Sequence, residues 1–102
     1  MVLFRRLLGD VLRSRRIEQG RTLRQLSGDA RVSLGYMSEI ERGQKEASSE
    51  ILASVAEALD VPISTIMREV GDRISVLEGL QTFPDVVPDD LMASVDAELS
   101  LR

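Results

Sequence analysis

The stretch Thr22–Gly43, TLRQLSGDARVSLGYMSEIERG, decides the fold of this chain. It holds two short runs whose apolar residues recur every three or four positions, as in amphipathic helices. Each run follows a residue that favours a helix N-cap, Thr22 or Ser33. Only residues 31–32 separate the first run from the second cap, and Gly43 ends the second. The stretch therefore predicts two short helices joined by a tight turn.

Further helices are predicted on both sides of this motif, and no convincing strand. Leu8, Val11, Leu12 and Ile17 form the predicted apolar face of the first helix. The predicted segments are Leu3 to Gln19, Thr22 to Ala30, Ser33 to Gly43, a fourth helix capped by Ser48 or Ser49 that runs to Leu59, a fifth capped by Ser64, a linker TFPDVVPDD at 82–90, and a final helix marked by Leu91, Val95 and Leu99.

The composition suits one compact all-α domain with an extension. The chain has 102 residues, of which 43% are hydrophobic and 3% aromatic. It contains no Cys and no His, which removes thiolate and imidazole nucleophiles, the usual zinc ligands and disulfides. We expect no metal, no cofactor and a reducing cytoplasmic location. No apolar run is long enough for a signal peptide or a membrane span.

The charge is divided unevenly along the chain. Residues 1–45 carry ten Lys/Arg and five Asp/Glu, a net charge of +5, while residues 46–102 carry three and twelve, a net charge of −9. The overall net charge of −4 therefore hides a basic front half. A basic front half suits contact with phosphates, with the acidic half held away from them.

The motif also carries a family resemblance. Residues 8–67 resemble the Cro/C1-type helix-turn-helix domain of phage repressors and the XRE-like bacterial regulators, and within that family the actinobacterial regulators of Clp genes. The resemblance implies a lambda-repressor-like five-helix DNA-binding domain at 1–67 and a helical dimerisation extension with linker at 68–102. The stretches that carry it are RRIEQGRTLRQLS, ARVSLGYMSEIERG and LASVAEALDVPISTIM, with MVLFRRLLGDVLR and RVSLGYMSEIERGQKEASSE for the narrower group.

The resemblance implies that the third helix enters the major groove of DNA. Gly35 would let the helix start approach the bases closely, Leu34 and Tyr36 would contact thymine methyl groups, and Glu39 would accept from cytosine N4. Where many relatives have Gln after the capping Thr, this chain has Leu23. The implied base-facing residues are Ser33, Leu34, Gly35, Tyr36, Ser38 and Glu39; the implied backbone-contacting residues are Arg13, Arg15, Arg21, Thr22, Arg24, Arg42, Gln44 and Lys45; Arg16 and Glu41 are implied to form an internal ion pair.

Each of these assignments has a simpler alternative. Tyr36 could pack on its own helix, Leu34 could belong to the core, and Glu39 could pair with a neighbouring arginine. Ser33 could be a cap alone, and the arginines of the first helix (Arg5, Arg6 and Arg13) could be solvated surface. Met67, Val70, Ile74 and Leu77, spaced three, four and three residues apart, form either a dimer seam or internal core. The predicted dimer interface comprises these four residues with Leu91, Val95 and Leu99.

The sequence thus favours a sequence-specific, dimeric regulator of transcription that binds double-stranded DNA. The resemblance further implies an activator of Clp protease and stress genes. A contact of Glu46, Glu50 and Glu57 with RNA polymerase is a hypothesis. The alternative is a protein-interaction module, such as an antitoxin or adaptor, that reuses the fold. An enzyme is not expected, because Asp89 and Asp90 follow a proline linker and favour the start of the last helix instead.

Overall fold

The computed structural model describes residues 4–81, which form five α-helices. They are α1 (Phe4–Glu18), α2 (Leu23–Ala30), α3 (Leu34–Glu41), α4 (Ser49–Leu59) and α5 (Ile63–Gln81). Within these residues there is no strand, so the all-α prediction is confirmed. Helix α1 packs against α3 and α5, and α2 packs against α3 and α4. No helix of the described part combines the length and apolar character needed to cross a membrane.

Side-chain caps start three of the helices. The Thr22 hydroxyl accepts from the backbone N–H of Gln25 at 3.0 Å, and the Gln25 side chain accepts from the Thr22 N–H at 2.8 Å. Ser33 caps α3 and Ser48 caps α4 in the same way, at 3.1 and 3.2 Å. An N-cap of this kind contributes about 1 kcal/mol, which matters most for helices as short as α2 and α3.

Helices α2 and α4 end in the same backbone arrangement. Arg31 and Asp60 adopt left-handed conformations, with φ of 59° and 57°. The next residue, Val32 or Val61, donates its N–H to a carbonyl five residues back, at 2.9 and 3.0 Å, and buries its side chain. This arrangement satisfies the last carbonyls of a helix and anchors the following chain in the core. It produces the tight turn between α2 and α3.

The core receives side chains from all five helices. The largest fully buried side chains are Leu12, Leu26, Met37, Ile40, Leu59, Ile66, Val11, Val55 and Val70. Met37 and Ile40 hold α3 to this core, so the opposite side of α3 faces solvent. The helix that the sequence assigns to recognition is therefore fixed by burial rather than by its own helical propensity.

Helix α1 approaches the end of α3 very closely. A Cβ at Gly9 would lie 2.4 Å from the Ile40 carbonyl oxygen and 2.7 Å from that of Glu41. A Cβ at Gly43, whose φ is 73°, would lie 2.8 Å from the Arg6 Cα. Two glycines are thus required for backbone-to-backbone contact between α1 and the end of α3.

Two details of the predicted fold are wrong. Ile17, predicted on the buried face of α1, is 54% exposed. Helix α5 begins at Ile63, so Ser64 is inside it, and the carbonyl of Pro62 accepts from the N–H groups at 65 and 66. Val70 is 1% exposed, which favours internal core, the second of the two alternatives given for this residue. The predicted domain boundary between residues 67 and 68 lies within α5, which runs from Ile63 to Gln81.

Candidate nucleic-acid interface

The solvent side of α3 carries most of the residues predicted to read bases. Ser33, Leu34 and Gly35 are exposed, and Leu34 is 37% exposed although it is apolar. Ser38 and Glu39, one turn further along, are half-buried. The alternative that Leu34 belongs to the core does not hold. We call these five residues the α3 ridge.

Gly35 is not required by the packing of this chain. It lies in helical conformation, and a Cβ built on it would meet no atom within 4 Å. Glycine weakens a helix by about 1 kcal/mol relative to alanine, so its presence has no explanation within the protomer. Gly35 leaves this exposed part of α3 without a side chain, so the backbone is accessible there.

Tyr36 has a structural role that the sequence did not reveal. Its ring is half-buried against the core, and its hydroxyl donates to the Glu46 carbonyl at 3.1 Å. The side chain therefore holds the loop between α3 and α4, and only part of its ring remains accessible. The alternative given above, that Tyr36 packs on its own helix, also differs from the structure, in which the side chain contacts the core and the loop after α3.

An ion pair beneath the motif joins three elements. Arg16 donates from Nε and Nη2 to the two carboxylate oxygens of Glu41, at 2.8 and 3.0 Å, and from Nη1 to the Arg21 carbonyl at 3.0 Å. The Arg16 and Glu41 side chains are only 13% and 5% exposed. Hydrogen bonding to Glu41 raises the pKa of the Arg16 guanidinium above its ordinary value, partly offset by burial. The pair, which the family resemblance implied, fixes α1, the start of α2 and the end of α3 relative to one another.

A groove of about 400 Å³ lies between α1, the start of α2 and α3. The exposed Arg13 and Arg42 line it together with Leu23, Ser38, Asp10 and the Arg16–Glu41 pair. Because Arg16 is neutralised by Glu41, the two remaining guanidinium groups beside the N-terminus of a helix favour an anion, and the Asp10 carboxylate opposes it. The arrangement can hold a phosphate of a nucleic-acid backbone next to the α3 ridge.

Further exposed polar groups surround the ridge. Thr22 and Arg24 lie at the start of α2, and Gln44 and Lys45 follow α3. Arg6, which the sequence left among the possible solvated residues, contacts this region because its backbone touches Gly43. The Thr-x-x-Gln spacing that gives the capping box of α2 was present in the sequence and was overlooked.

Two predicted DNA contacts are reassigned to structural contacts. Arg15 pairs with Glu69, which ties α1 to α5. Arg21 donates to the Ala58 carbonyl and pairs with Asp29. Because Arg21 makes several contacts within the protomer and Arg15 already pairs with a carboxylate, both are weaker candidates for a phosphate contact than the exposed Arg13 and Arg42.

The residues predicted for dimerisation are only partly described. Met67, Ile74 and Leu77 are half-buried on α5. Ile63 and Val76 of the same helix are 39% and 64% exposed and were not predicted. The remaining predicted interface residues, Leu91, Val95 and Leu99, lie outside the described residues. Across residues 4–81, no group of three or more His, Cys, Asp or Glu side chains is arranged to hold a metal ion.

Several known proteins are similar to this chain in sequence. Residues 7–66 match the family described as a helix-turn-helix domain. The transcriptional regulator ClgR of Mycobacterium tuberculosis is 54% identical over 78 residues, which cover 76% of this chain and 70% of that protein.

Solved structures give the same result for the fold. The clp gene regulator ClgR of Corynebacterium glutamicum has a TM-score of 0.74 at 42% identity, covering 83% of this chain and 90% of that chain. The restriction-modification controller protein C.AhdI of Aeromonas hydrophila has a TM-score of 0.58 at 27% identity, covering 65% and 94%.

Proposed function

The chain belongs to the helix-turn-helix family of DNA-binding transcriptional regulators, and from that premise we propose that it binds operators of Clp protease genes through α3. The proposal for these target genes rests on the identity to ClgR, named as a clp gene regulator in C. glutamicum. The observation that carries the DNA-binding mode is the α3 ridge. Its first three residues, 33–35, are exposed, and the ridge lies opposite the core contacts of Met37 and Ile40.

The proposed docking places the α3 ridge in the major groove and the surrounding basic residues on the backbone. Arg13 and Arg42 at the groove beside α2 would bind one phosphate, and Arg24 with Lys45 would bind phosphates on either side. Phosphate contacts of this kind fix position and orientation, while the ridge reads the sequence. The Arg16–Glu41 pair keeps both sets in one rigid unit.

We further propose that two copies bind together. One helix-turn-helix domain makes few base contacts, and such domains reach specific sites as dimers whose half-sites are about 34 Å apart. The exposed apolar Ile63 supports an interface on this helix, because the half-buried Met67 and Ile74 lie on the same side of α5. Val76, thirteen residues after Ile63, lies on another side of the helix and is not part of this face. Val70 is excluded from it because it is buried in the protomer.

Activation is a separate part of the proposal. Glu50 and Glu57 are exposed on α4, away from the core-facing Val55 and Leu59. We propose that these carboxylates contact a basic surface of RNA polymerase. The double variant Glu50→Lys and Glu57→Lys is then expected to bind the operator normally and to lose activated transcription in vitro. Full transcription by this variant would disprove the contact.

The decisive experiment is a fluorescence anisotropy titration of the full chain with two duplexes, its own promoter and a Clp-gene promoter, at several salt concentrations. We expect tight binding to a promoter over scrambled DNA, and loss of that binding in Gly35→Glu. Gly28→Glu is the matched control, because Gly28 is also an exposed helical glycine with open space around it. Equal weak binding to every duplex, together with a stable partner protein on co-purification, would instead favour an antitoxin or adaptor.

A further inference from the structure

A second groove, of about 460 Å³, lies between the end of α2 and α4, and we call it the α2–α4 groove. It shares no lining residue with the groove beside the α3 ridge. Half of its lining residues are charged and exposed, and the other half are small: Asp29, Arg31 and Glu57, with Ala30, Ser54 and Ala58. The groove therefore presents charge on a wall that allows another surface to come close.

Arg31 occupies a backbone position that usually holds glycine. It follows α2 with a φ of 59°, in the left-handed region. A side chain is disfavoured in this conformation, and glycine is the usual residue just after a helix end. Asp60 has the same conformation after α4, but a short polar side chain such as that of aspartate tolerates it better.

No contact inside the described part of the protomer accounts for an arginine at this position. The Arg31 side chain is exposed and makes no ion pair or side-chain hydrogen bond within residues 4–81. Residues that keep a disfavoured backbone conformation cluster at functional sites. The guanidinium of Arg31 is therefore a candidate for a contact outside the protomer.

The α2–α4 groove combines one unpaired positive charge with one unpaired negative charge. Asp29 is neutralised by Arg21. Glu57 is exposed and, within the described residues, has no ion pair or side-chain hydrogen bond. Arg31 and Glu57 line the same groove without pairing with each other. Each of the two therefore lacks an opposite charge.

The two charges together indicate the kind of partner. A partner with only one sign of charge would pair with one of them and leave the other unpaired. A second copy of this groove carries both signs at the required separation. A two-fold rotation places Arg31 of each copy opposite Glu57 of the other, so the surface is complementary to itself.

We propose that the α2–α4 groove joins neighbouring dimers on DNA through two reciprocal ion pairs between Arg31 of one copy and Glu57 of the other. The lining of the groove comes from the end of α2 and from α4, so this contact is separate from the dimer interface proposed on α5. The inference rests on the proposed function, because it requires two dimers bound to adjacent operators.

The contact acts only on DNA. Exposed ion pairs are too weak to associate two proteins in dilute solution, but adjacent operators hold the dimers at a high effective concentration. The copy at the end of a row of dimers has no neighbour at its groove. Its Glu57 therefore remains available for the proposed contact with polymerase.

The test compares duplexes with one or two copies of an operator that the wild-type chain selects from randomised DNA. The two-site duplexes differ in the spacing between sites, and cooperativity is the affinity for the second site divided by that for a single site. Two exposed ion pairs of ordinary strength correspond to roughly 5-fold cooperativity. We expect this value at the spacings that place both dimers on one face of the DNA.

Arg31→Gly is the first variant, because it removes the guanidinium and suits the left-handed backbone. It should fold at least as stably as the wild type, by thermal unfolding, and bind the two sites independently. Arg31→Glu and Glu57→Arg should each abolish cooperativity, and the variant that combines both changes should restore it. Glu18→Arg reverses an exposed charge on α1 outside the groove and is the matched control, which should keep the wild-type cooperativity.

Cooperativity that persists in Arg31→Gly, or that is lost equally in Glu18→Arg, would disprove the contact. Independent binding of the wild type at every spacing would also disprove it, while specific binding to the single operator would leave the proposed function intact. If the wild type selects no sequence, the proposed function fails and this inference falls with it. Reduced transcription by Arg31→Gly with unchanged cooperativity would assign the groove to polymerase and overturn the contact between copies.

Discussion

Replacing Gly35 with alanine tests the docking of α3, because its expected effects on folding and on DNA binding are opposite. Gly35 is helical and exposed, and an added Cβ would meet no atom within 4 Å. The methyl group therefore fits the protomer without any rearrangement. Gly28, in α2, has the same three properties and provides the control.

The expected change in stability follows from helix propensity, and the expected change in DNA affinity follows from the extra methyl group at the interface. Alanine is favoured over glycine inside a helix by roughly 0.5–1 kcal/mol, so both variants should unfold at a temperature a few degrees higher than the wild type. In a close-packed interface an extra methyl group costs about 1–3 kcal/mol. Gly35→Ala should therefore bind operator DNA roughly 5- to 150-fold more weakly, and Gly28→Ala should bind as the wild type does.

Two measurements on the same samples test whether the α3 backbone at Gly35 approaches DNA closely. Thermal unfolding followed by circular dichroism gives the stability change, and anisotropy with a promoter duplex gives the affinity. A Gly35→Ala variant that is stabilised and binds with wild-type affinity would refute the close approach of the α3 backbone to DNA. Equal weakening of both variants would also refute it, since the effect would then not be local to the ridge.

Three further results are expected. Gly9→Ala should lower the free energy of unfolding by about 3 kcal/mol, because the added Cβ meets backbone oxygens of α3. This value is the upper end of the usual cost of overpacking, and urea denaturation with Gly28→Ala as the control measures it. Glu41→Gln should lower the free energy of unfolding by about 3 kcal/mol, because Arg16 loses its counter-charge. Glu39→Gln should change the free energy of unfolding by less than about 0.5 kcal/mol. Arg42→Ala should reduce the slope of log affinity against log salt by about one, and Arg15→Ala, whose guanidinium already pairs with Glu69, should leave the slope unchanged.

The sequence predicts the features of this fold that depend on neighbouring residues. The caps Thr22 and Ser33 use hydrogen bonds to the backbone three residues on, so residue type and position suffice to identify them. The end of α3 at Gly43 is predictable for the same reason, because a left-handed residue there favours glycine. The order of the five helices follows from these signals and from the apolar spacing.

Features that depend on distant parts of the chain could not be predicted from the residues. The partners of Arg15 and Arg21 come from α5 and from the end of α4, so their roles depend on how the helices pack. Gly9 resembles any other helical glycine in sequence, and only the approach of α3 makes it indispensable. The hydroxyl of Tyr36 likewise finds its acceptor ten residues away.

The continuity of α5 limits how the length of this protein can change. The helix runs without interruption from Ile63 to Gln81, and Ile66 and Val70 anchor its first half in the core. One residue inserted after Val70 would rotate everything beyond it by about 100° and advance it by about 1.5 Å. Seven inserted residues would restore the original face to within about 20°. Among relatives and in engineered forms, the helix is therefore expected to tolerate length changes in steps of about two turns and to reject single insertions.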